Sequence, residues 1–109
     1  MATNYKVLGQ SNPSATTNTT LYTVPSATDT IVSTVTVCNQ ASTAGTYRIA
    51  IRVAGATLAA QHYVAYDISL PANTTDTLTL GLTLDATDVI TVYASSANMS
   101  FHAYGSEIS

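Results

Sequence analysis

Few side chains of this chain could carry out acid–base, nucleophilic or metal chemistry, and their spacing does not bring them together. The two histidines, His62 and His102, show no HxH, HxxxH or HExxH spacing, so a zinc site would need ligands from distant strands. Cys38 is the single cysteine, which rules out an intramolecular disulfide. We expect Cys38 to be a small buried apolar group rather than a nucleophile or an intermolecular bridge, and we expect both histidines at a surface or an interface.

The acidic residues offer little for catalysis either. Four aspartates fall in predicted turns: Asp29, Asp76, Asp85 and Asp88. Asp85 and Asp88 could share a calcium ion with backbone carbonyls, but calcium usually takes several carboxylates, so capping of backbone N–H groups is the favoured interpretation. The chain has no nucleophile elbow and no phosphate-cradling glycine loop, and its separate acids form no carboxylate pair for glycoside hydrolysis. The sequence therefore predicts no enzyme, and no catalytic, cofactor-binding or metal-binding residues.

The aromatic residues are more informative, because the chain has seven tyrosines, one phenylalanine and no tryptophan. Tyr63 and Tyr66 are expected on opposite faces of one strand, and Tyr47, Tyr93 and Tyr104 on other strands. Each ring could pack in the core with its hydroxyl at the rim, lie in a protein interface, or stack on a sugar. A tyrosine cluster at a subunit junction would favour assembly, whereas an open groove would favour sugar binding.

Period-two alternation of apolar and small polar residues places these side chains on β-strands. It predicts an all-β fold, a small antiparallel β-sandwich of jelly-roll or immunoglobulin-like type with seven to nine strands. Seven side chains are expected in its core: Ile49, Ile51, Leu78, Leu80, Leu82, Ile90 and Val92. If Leu80 is a core residue, truncating it to alanine costs about 2–5 kcal/mol.

The pattern also suggests how the strands are connected. Residues 30–39 form a central strand, and residues 46–53 follow as its hairpin partner. Residues 76–84 form the cleanest strand. Residues 89–95 and 98–104 close the fold as a second hairpin that Gly105 ends.

The length and charge of the chain predict a single domain that associates with other protein molecules. The 109 residues form one domain, 1–109, in which residues 1–20 could extend as an arm and residues 4–10 could be a short strand. Charged residues make up 8% of the chain, and Lys6, Arg48 and Arg52 cannot form the basic patch that nucleic acid requires. A surface with so little charge is a solubility hazard unless copies of the chain or a larger assembly cover it.

We expect no targeting signal in this chain. No apolar run approaches a membrane span, and the N-terminus has no basic region followed by an apolar core. We therefore expect no membrane partner, and expect synthesis and assembly in a cytoplasm.

The order of segments resembles that of small virion structural proteins of tailed bacteriophages, including those of cyanobacterial hosts. The segments are LYTVP (21–25), VTVCN (35–39), HYVAYD (62–67), LTLGLTL (78–84), DVITVYAS (88–95) and FHAYG (101–105). The resemblance spans roughly residues 5–105 and includes no catalytic motif. It implies a β-sandwich without enzymatic activity, most simply a capsid decoration (cement) protein.

Such a protein would bind the major capsid protein as a homotrimer and stabilise the outer capsid of the virion, after assembly in the bacterial cytoplasm. A tail, neck or fibre component is the alternative within this class. A carbohydrate-binding sandwich for host recognition is the alternative from a different class.

Overall fold

Backbone hydrogen bonds divide the chain into two packed antiparallel sheets. The computed structural model describes residues 2–109; Met1, with which the expected domain 1–109 begins, lies outside them. The strands of the described residues are β1 (Thr3–Ser11), β2 (Thr19–Thr23), β3 (Asp29–Asn39), β4 (Gly45–Arg52), β5 (Tyr63–Leu70), β6 (Thr75–Leu78), β7 (Leu82–Leu84), β8 (Val89–Ala94) and β9 (Met99–Ile108). The predicted antiparallel β-sandwich of seven to nine strands is thereby confirmed.

The strands pair in a nested order. One sheet, here called the β1 sheet, runs β1-β9-β3-β6, with β7 also paired to β3; the other, here called the β5 sheet, runs β2-β8-β4-β5. Thus β1 pairs with β9, β2 with β8, β3 with β6 and β7, and β4 with β5. This is the double Greek key of a jelly roll, so it selects the first of the two predicted sandwich types.

Both predicted hairpins are wrong. β3 and β4 belong to different sheets, and so do β8 and β9. The loops between these strands cross from one sheet to the other. Gly105 does not end the last strand, because β9 continues to Ile108. A Cβ at Gly105 would overlap the carbonyl oxygen of Ile31, so the register shift between β3 and β9 requires glycine there.

A buried asparagine shapes the crossing between β3 and β4. The Asn39 Nδ2 lies 3.0 Å from the Thr43 carbonyl oxygen, 3.1 Å from that of Leu70 and 3.2 Å from that of Pro71. The side-chain oxygen of the same residue, Asn39 Oδ1, accepts a hydrogen bond from the Ala41 N–H at 3.0 Å. Buried polar groups need such partners, so this side chain fixes the corner where the chain changes sheets.

The segment expected to be the cleanest strand is broken in the middle. Gly81 has φ +62°, and the chain leaves the ladder there between β6 and β7. Leu80 is 40% exposed, so its predicted core position is wrong. Ile51, Leu78 and Leu82 are half-buried against the core rather than buried.

The remaining predicted core residues, Ile49, Ile90 and Val92, are fully buried. The largest buried side chain is Tyr47, whose ring meets that of Phe101 edge-on at 6.2 Å between centroids. Its hydroxyl donates to Asp76 Oδ2 at 2.9 Å. Burial, together with this carboxylate, raises the pKa of Tyr47 above its usual value.

The N-terminal segment is a strand rather than a free arm from Thr3 to Ser11, where it pairs with β9. The Lys6 Nζ lies 2.7 Å from Glu107 Oε1, and Tyr22 of the opposite sheet donates its hydroxyl to Glu107 Oε2 at 2.5 Å. Burial and Glu107 raise the pKa of Tyr22 to about 12. Hydrogen bonds from Lys6 and Tyr22 hold the pKa of Glu107 below its usual value.

A matched pair of truncations tests the corrected core. Ile49→Ala should lower the free energy of unfolding by about 2–5 kcal/mol, because it leaves a cavity between the sheets. Leu80→Ala should change it by no more than about 0.5 kcal/mol, because the side chain is exposed at the break. Urea denaturation of both variants measures the difference. A loss at Leu80 as large as that at Ile49 would contradict the broken strand.

Acid should weaken the link between the sheets through Glu107. Its pKa is lower in the folded protein than in the unfolded chain, so its stabilisation is complete above the unfolded value and is lost as pH falls from about 4.3 through the folded pKa. Asp29 acts in the opposite direction, since a hydrogen bond with Asp85 raises its pKa. Glu107→Gln should therefore reduce the loss of stability in acid, measured by denaturation across pH.

Lys6→Gln is the companion variant, because it removes the main cause of the lowered pKa while leaving Glu107 in place. It should reduce the acid loss as well. If both variants lose as much stability in acid as the original protein, other carboxylates must cause that loss.

Candidate ligand-binding groove

The outer face of the β5 sheet carries a stack of one arginine between two tyrosine rings. The Arg48 guanidinium carbon lies 4.3 Å from the centroid of Tyr66 and 4.3 Å from that of Tyr93. Its Nε donates to Asp67 Oδ1 at 2.6 Å. This hydrogen bond raises the pKa of Arg48 further above its usual value. The arginine is thus held on three sides and its charge is neutralised by a neighbour.

Irregular pairing of β5 with β4 brings a third tyrosine to the same face. Tyr63 pairs with Ala50 and Ala65 with Ile49, so Val64 is an extra residue between them. Tyr63 and Tyr66 therefore do not lie on opposite faces as predicted. Their rings meet at 4.8 Å between centroids and at 82°, which makes a corner of two perpendicular aromatic surfaces.

The loop between β4 and β5 lies beside this corner and is fixed to the sheet. It contains two single 3₁₀ turns, Val53–Gly55 and Ala60–His62. Arg52 Nη1 donates to the carbonyl oxygens of Gly55 and Ala56 at 3.2 and 3.1 Å. Arg52 Nε donates to Thr91 Oγ1 at 3.0 Å, so the loop is anchored to β8 through one side chain.

Together the loop and the tyrosines enclose a groove of about 640 Å³. It is lined by Asn18, Leu58, Ala59, Ala60, Tyr63 and Tyr66. None of these side chains is charged, and Tyr66 is 54% exposed. Ligand sites typically combine such apolar and aromatic walls with a few polar groups. We call this surface the tyrosine groove.

The histidines and the cysteine that the sequence analysis considered as reactive residues do not line the tyrosine groove. His62 Nδ1 accepts a hydrogen bond from the Ala59 N–H at 2.9 Å, and His102 stacks on Tyr104 on the other sheet. Both histidines are half-buried, and so is Cys38, which was expected to be buried. Within residues 2–109, no three His, Cys, Asp or Glu side chains are placed to hold a metal ion together.

The aspartates divide into turn residues and strand residues. Asp88 Oδ1 accepts from the Ala54 N–H and Oδ2 from the Asp85 N–H, each at 2.9 Å, as the capping interpretation predicts. Asp85 Oδ1 accepts from the Ala86 N–H at 2.8 Å. Asp76 lies in β6 and Asp29 begins β3, so their assignment to turns is wrong.

Sequence reasoning missed Arg48, Asp67 and Asn18 as parts of one surface. The signal that could have found the first was the pair of arginines on the polar face of residues 46–53, beside tyrosine-rich segments. Asn18 could not be found in this way, because it belongs to a turn between β1 and β2 that only the tertiary fold brings to the groove.

Comparison with known protein families, with curated proteins and with solved structures finds no match to this chain. Among the described residues, no helix has the length and apolar character needed to cross a membrane. Function must therefore be argued from the surfaces of the molecule itself.

A calcium titration separates capping from ion binding at Asp88. We expect added calcium to leave the melting temperature unchanged, because both Asp88 oxygens already accept backbone hydrogen bonds. We expect Asp88→Ala to cost about 1–3 kcal/mol, since it leaves two N–H groups unpaired. A calcium-dependent rise in melting temperature that disappears in Asp88→Ala would favour an ion site.

Proposed function

We propose that this chain is a non-enzymatic structural protein of a virus particle, of the capsid decoration type found in tailed bacteriophages. In this proposal it forms a homotrimer, binds the major capsid protein and stabilises the outer capsid. Assembly takes place in the bacterial cytoplasm, without nucleic acid or a membrane. A tail, neck or fibre position in the virion is the alternative within the same class.

The observation that carries the proposal is a row of exposed apolar side chains on the outer face of the β1 sheet. Tyr5 is 84% exposed, Val7 48% and Ile31 42%. Tyr5 and Ile31 both pair with Ser106 of β9, so they lie on one face across three strands. Val7, two residues from Tyr5, shares this face. Exposed apolar side chains grouped on one face of a small domain are typical of a protein interface.

The edge of the same sheet supports association through the backbone. β1 is the last strand of its sheet, so one side of it presents unpaired N–H and C=O groups. Natural edge strands usually carry charges or proline against such pairing, whereas β1 has one lysine, Lys6, and no proline. The Lys6 ammonium is held by Glu107 and does not protect the edge.

The fold supports the proposal only by analogy, since jelly rolls occur in viral capsid proteins and also in lectins. The low charge of the chain adds a physical reason. A net charge of −3 from nine charged side chains leaves little electrostatic steering, so association must depend on apolar and backbone contacts.

Sedimentation of the isolated protein tests self-association. We expect the mass of a trimer at micromolar concentration, and a shift to monomer in Val7→Lys, which places a charge in the apolar row and on the edge strand. Val64→Lys is the matched control, because Val64 is similarly exposed (44%) but lies on β5 of the other sheet.

Mass spectrometry of purified particles tests the virion role. Many copies per particle would fit a decoration protein, whereas a few copies would favour a tail, neck or fibre component. A monomer at high concentration, together with absence from particles, would overturn the proposal.

A further inference from the structure

We propose that the tyrosine groove binds a neutral carbohydrate, one hexose ring of a glycan. This goes beyond the structural role proposed above, because the groove lies on the β5 sheet and the apolar row on the other sheet. The sequence analysis gave a carbohydrate-binding sandwich as an alternative, and the groove supplies specific residues for that binding.

The groove matches the two kinds of surface that a sugar ring presents. A hexose has an apolar C–H face and a rim of hydroxyl groups. Tyr63 and Tyr66 line the groove with rings at 82° to each other; Arg48 covers one face of Tyr66, so the apolar face of the sugar would pack on the ring surface that remains. The Asn18 amide can donate to and accept from hydroxyls, as can the two phenol groups.

Charge identifies the ligand as neutral. No lining side chain is charged, and the neighbouring Arg48 is already bound to Asp67 through Nε and, at 3.4 Å, through Nη2. A phosphate or carboxylate ligand would find no unpaired cation in the groove. A cationic ligand would find no carboxylate among the lining side chains.

Contacts within the protein hold the walls in place, and such preorganisation lowers the entropy cost of binding. Tyr66 is held against Arg48 on β4, and Arg48 is held in turn by Tyr93 on β8. The opposite wall, residues 58–60, belongs to the loop that Arg52 and Asp88 anchor. An arrangement on strands and an anchored loop positions aromatic rings well.

The shape favours one ring over an extended peptide. Proline-rich peptides dock in grooves lined by a row of aromatic side chains. Here the aromatic rings form one corner, and residues 58–60 stand beside it. The groove therefore suits a compact ring of a glycan better than a chain of prolines.

Nuclear magnetic resonance titration of the full-length protein tests the site. The probes are glucose, galactose, mannose, N-acetylglucosamine and a proline-rich peptide, each added singly. We expect at least one sugar to cause saturable shifts of amide resonances confined to residue 18 and residues 58–66. Tyr66→Ala should weaken that binding about tenfold, since it removes one aromatic wall, and Asn18→Ala should weaken it too.

Tyr5→Ala is the matched control, a highly exposed tyrosine on the other sheet. It should weaken self-association and leave the sugar shifts unchanged, whereas Tyr66→Ala should do the reverse. Failure of the groove can thus be told apart from failure of the trimer. Absence of saturable shifts with every sugar, or shifts that persist in Tyr66→Ala, would overturn the site. Saturable shifts with a proline-rich peptide alone would overturn it in favour of peptide docking.

Discussion

The fold depends on one tyrosine of the β5 sheet whose side chain packs against the β1 sheet and hydrogen bonds to it. Tyr47 lies on β4, yet its ring packs against Phe101 of β9 and its hydroxyl donates to Asp76 of β6. A buried hydroxyl without a partner would cost about 1–3 kcal/mol, so β6 must hold Asp76 opposite β4. Asp76 pairs with Val37, which sets the register of β6 on β3. The packing of one ring therefore links the two sheets and supports the alignment of a short edge strand.

Apolar–polar alternation predicted the buried residues well in some strands and poorly in others. Ile49, Ile90 and Val92 lie on β4 and β8, which pair with each other without a register shift, and there the alternating pattern identified buried residues correctly. Leu80 belongs to an equally regular pattern, but Gly81 takes a positive φ and ends the ladder. Nothing in an apolar–polar alternation records such a break, since glycine fits both a strand and a turn.

Strand pairing was less predictable than strand location. The five-residue loop after Asn39, residues 40–44, suits a hairpin as well as a crossing between sheets, and local sequence does not distinguish them. The difference lies in the Asn39 amide, whose partners include Leu70 and Pro71, about thirty residues away. Similarly, the extra residue Val64 reverses the face of Tyr63 and creates the aromatic corner. The groove was thus hidden from sequence reasoning because a bulge, not a motif, assembles it.

The two proposals use opposite sides of the sandwich. Tyr5 and Val7 project from the β1 sheet, whereas Tyr63 and Tyr66 lie on the outer face of the β5 sheet. A copy attached through β1 would therefore leave its tyrosine groove open to solvent. The edge strand β1 and the tyrosine groove are connected along the chain by Asn18, which lies between β1 and β2 and lines the groove. Gly9 keeps β1 close to β2, since a Cβ there would overlap the Leu21 carbonyl oxygen. A particle that carries many copies attached through β1 would therefore display many grooves. Weak individual sites displayed in this way gain avidity without any new contact.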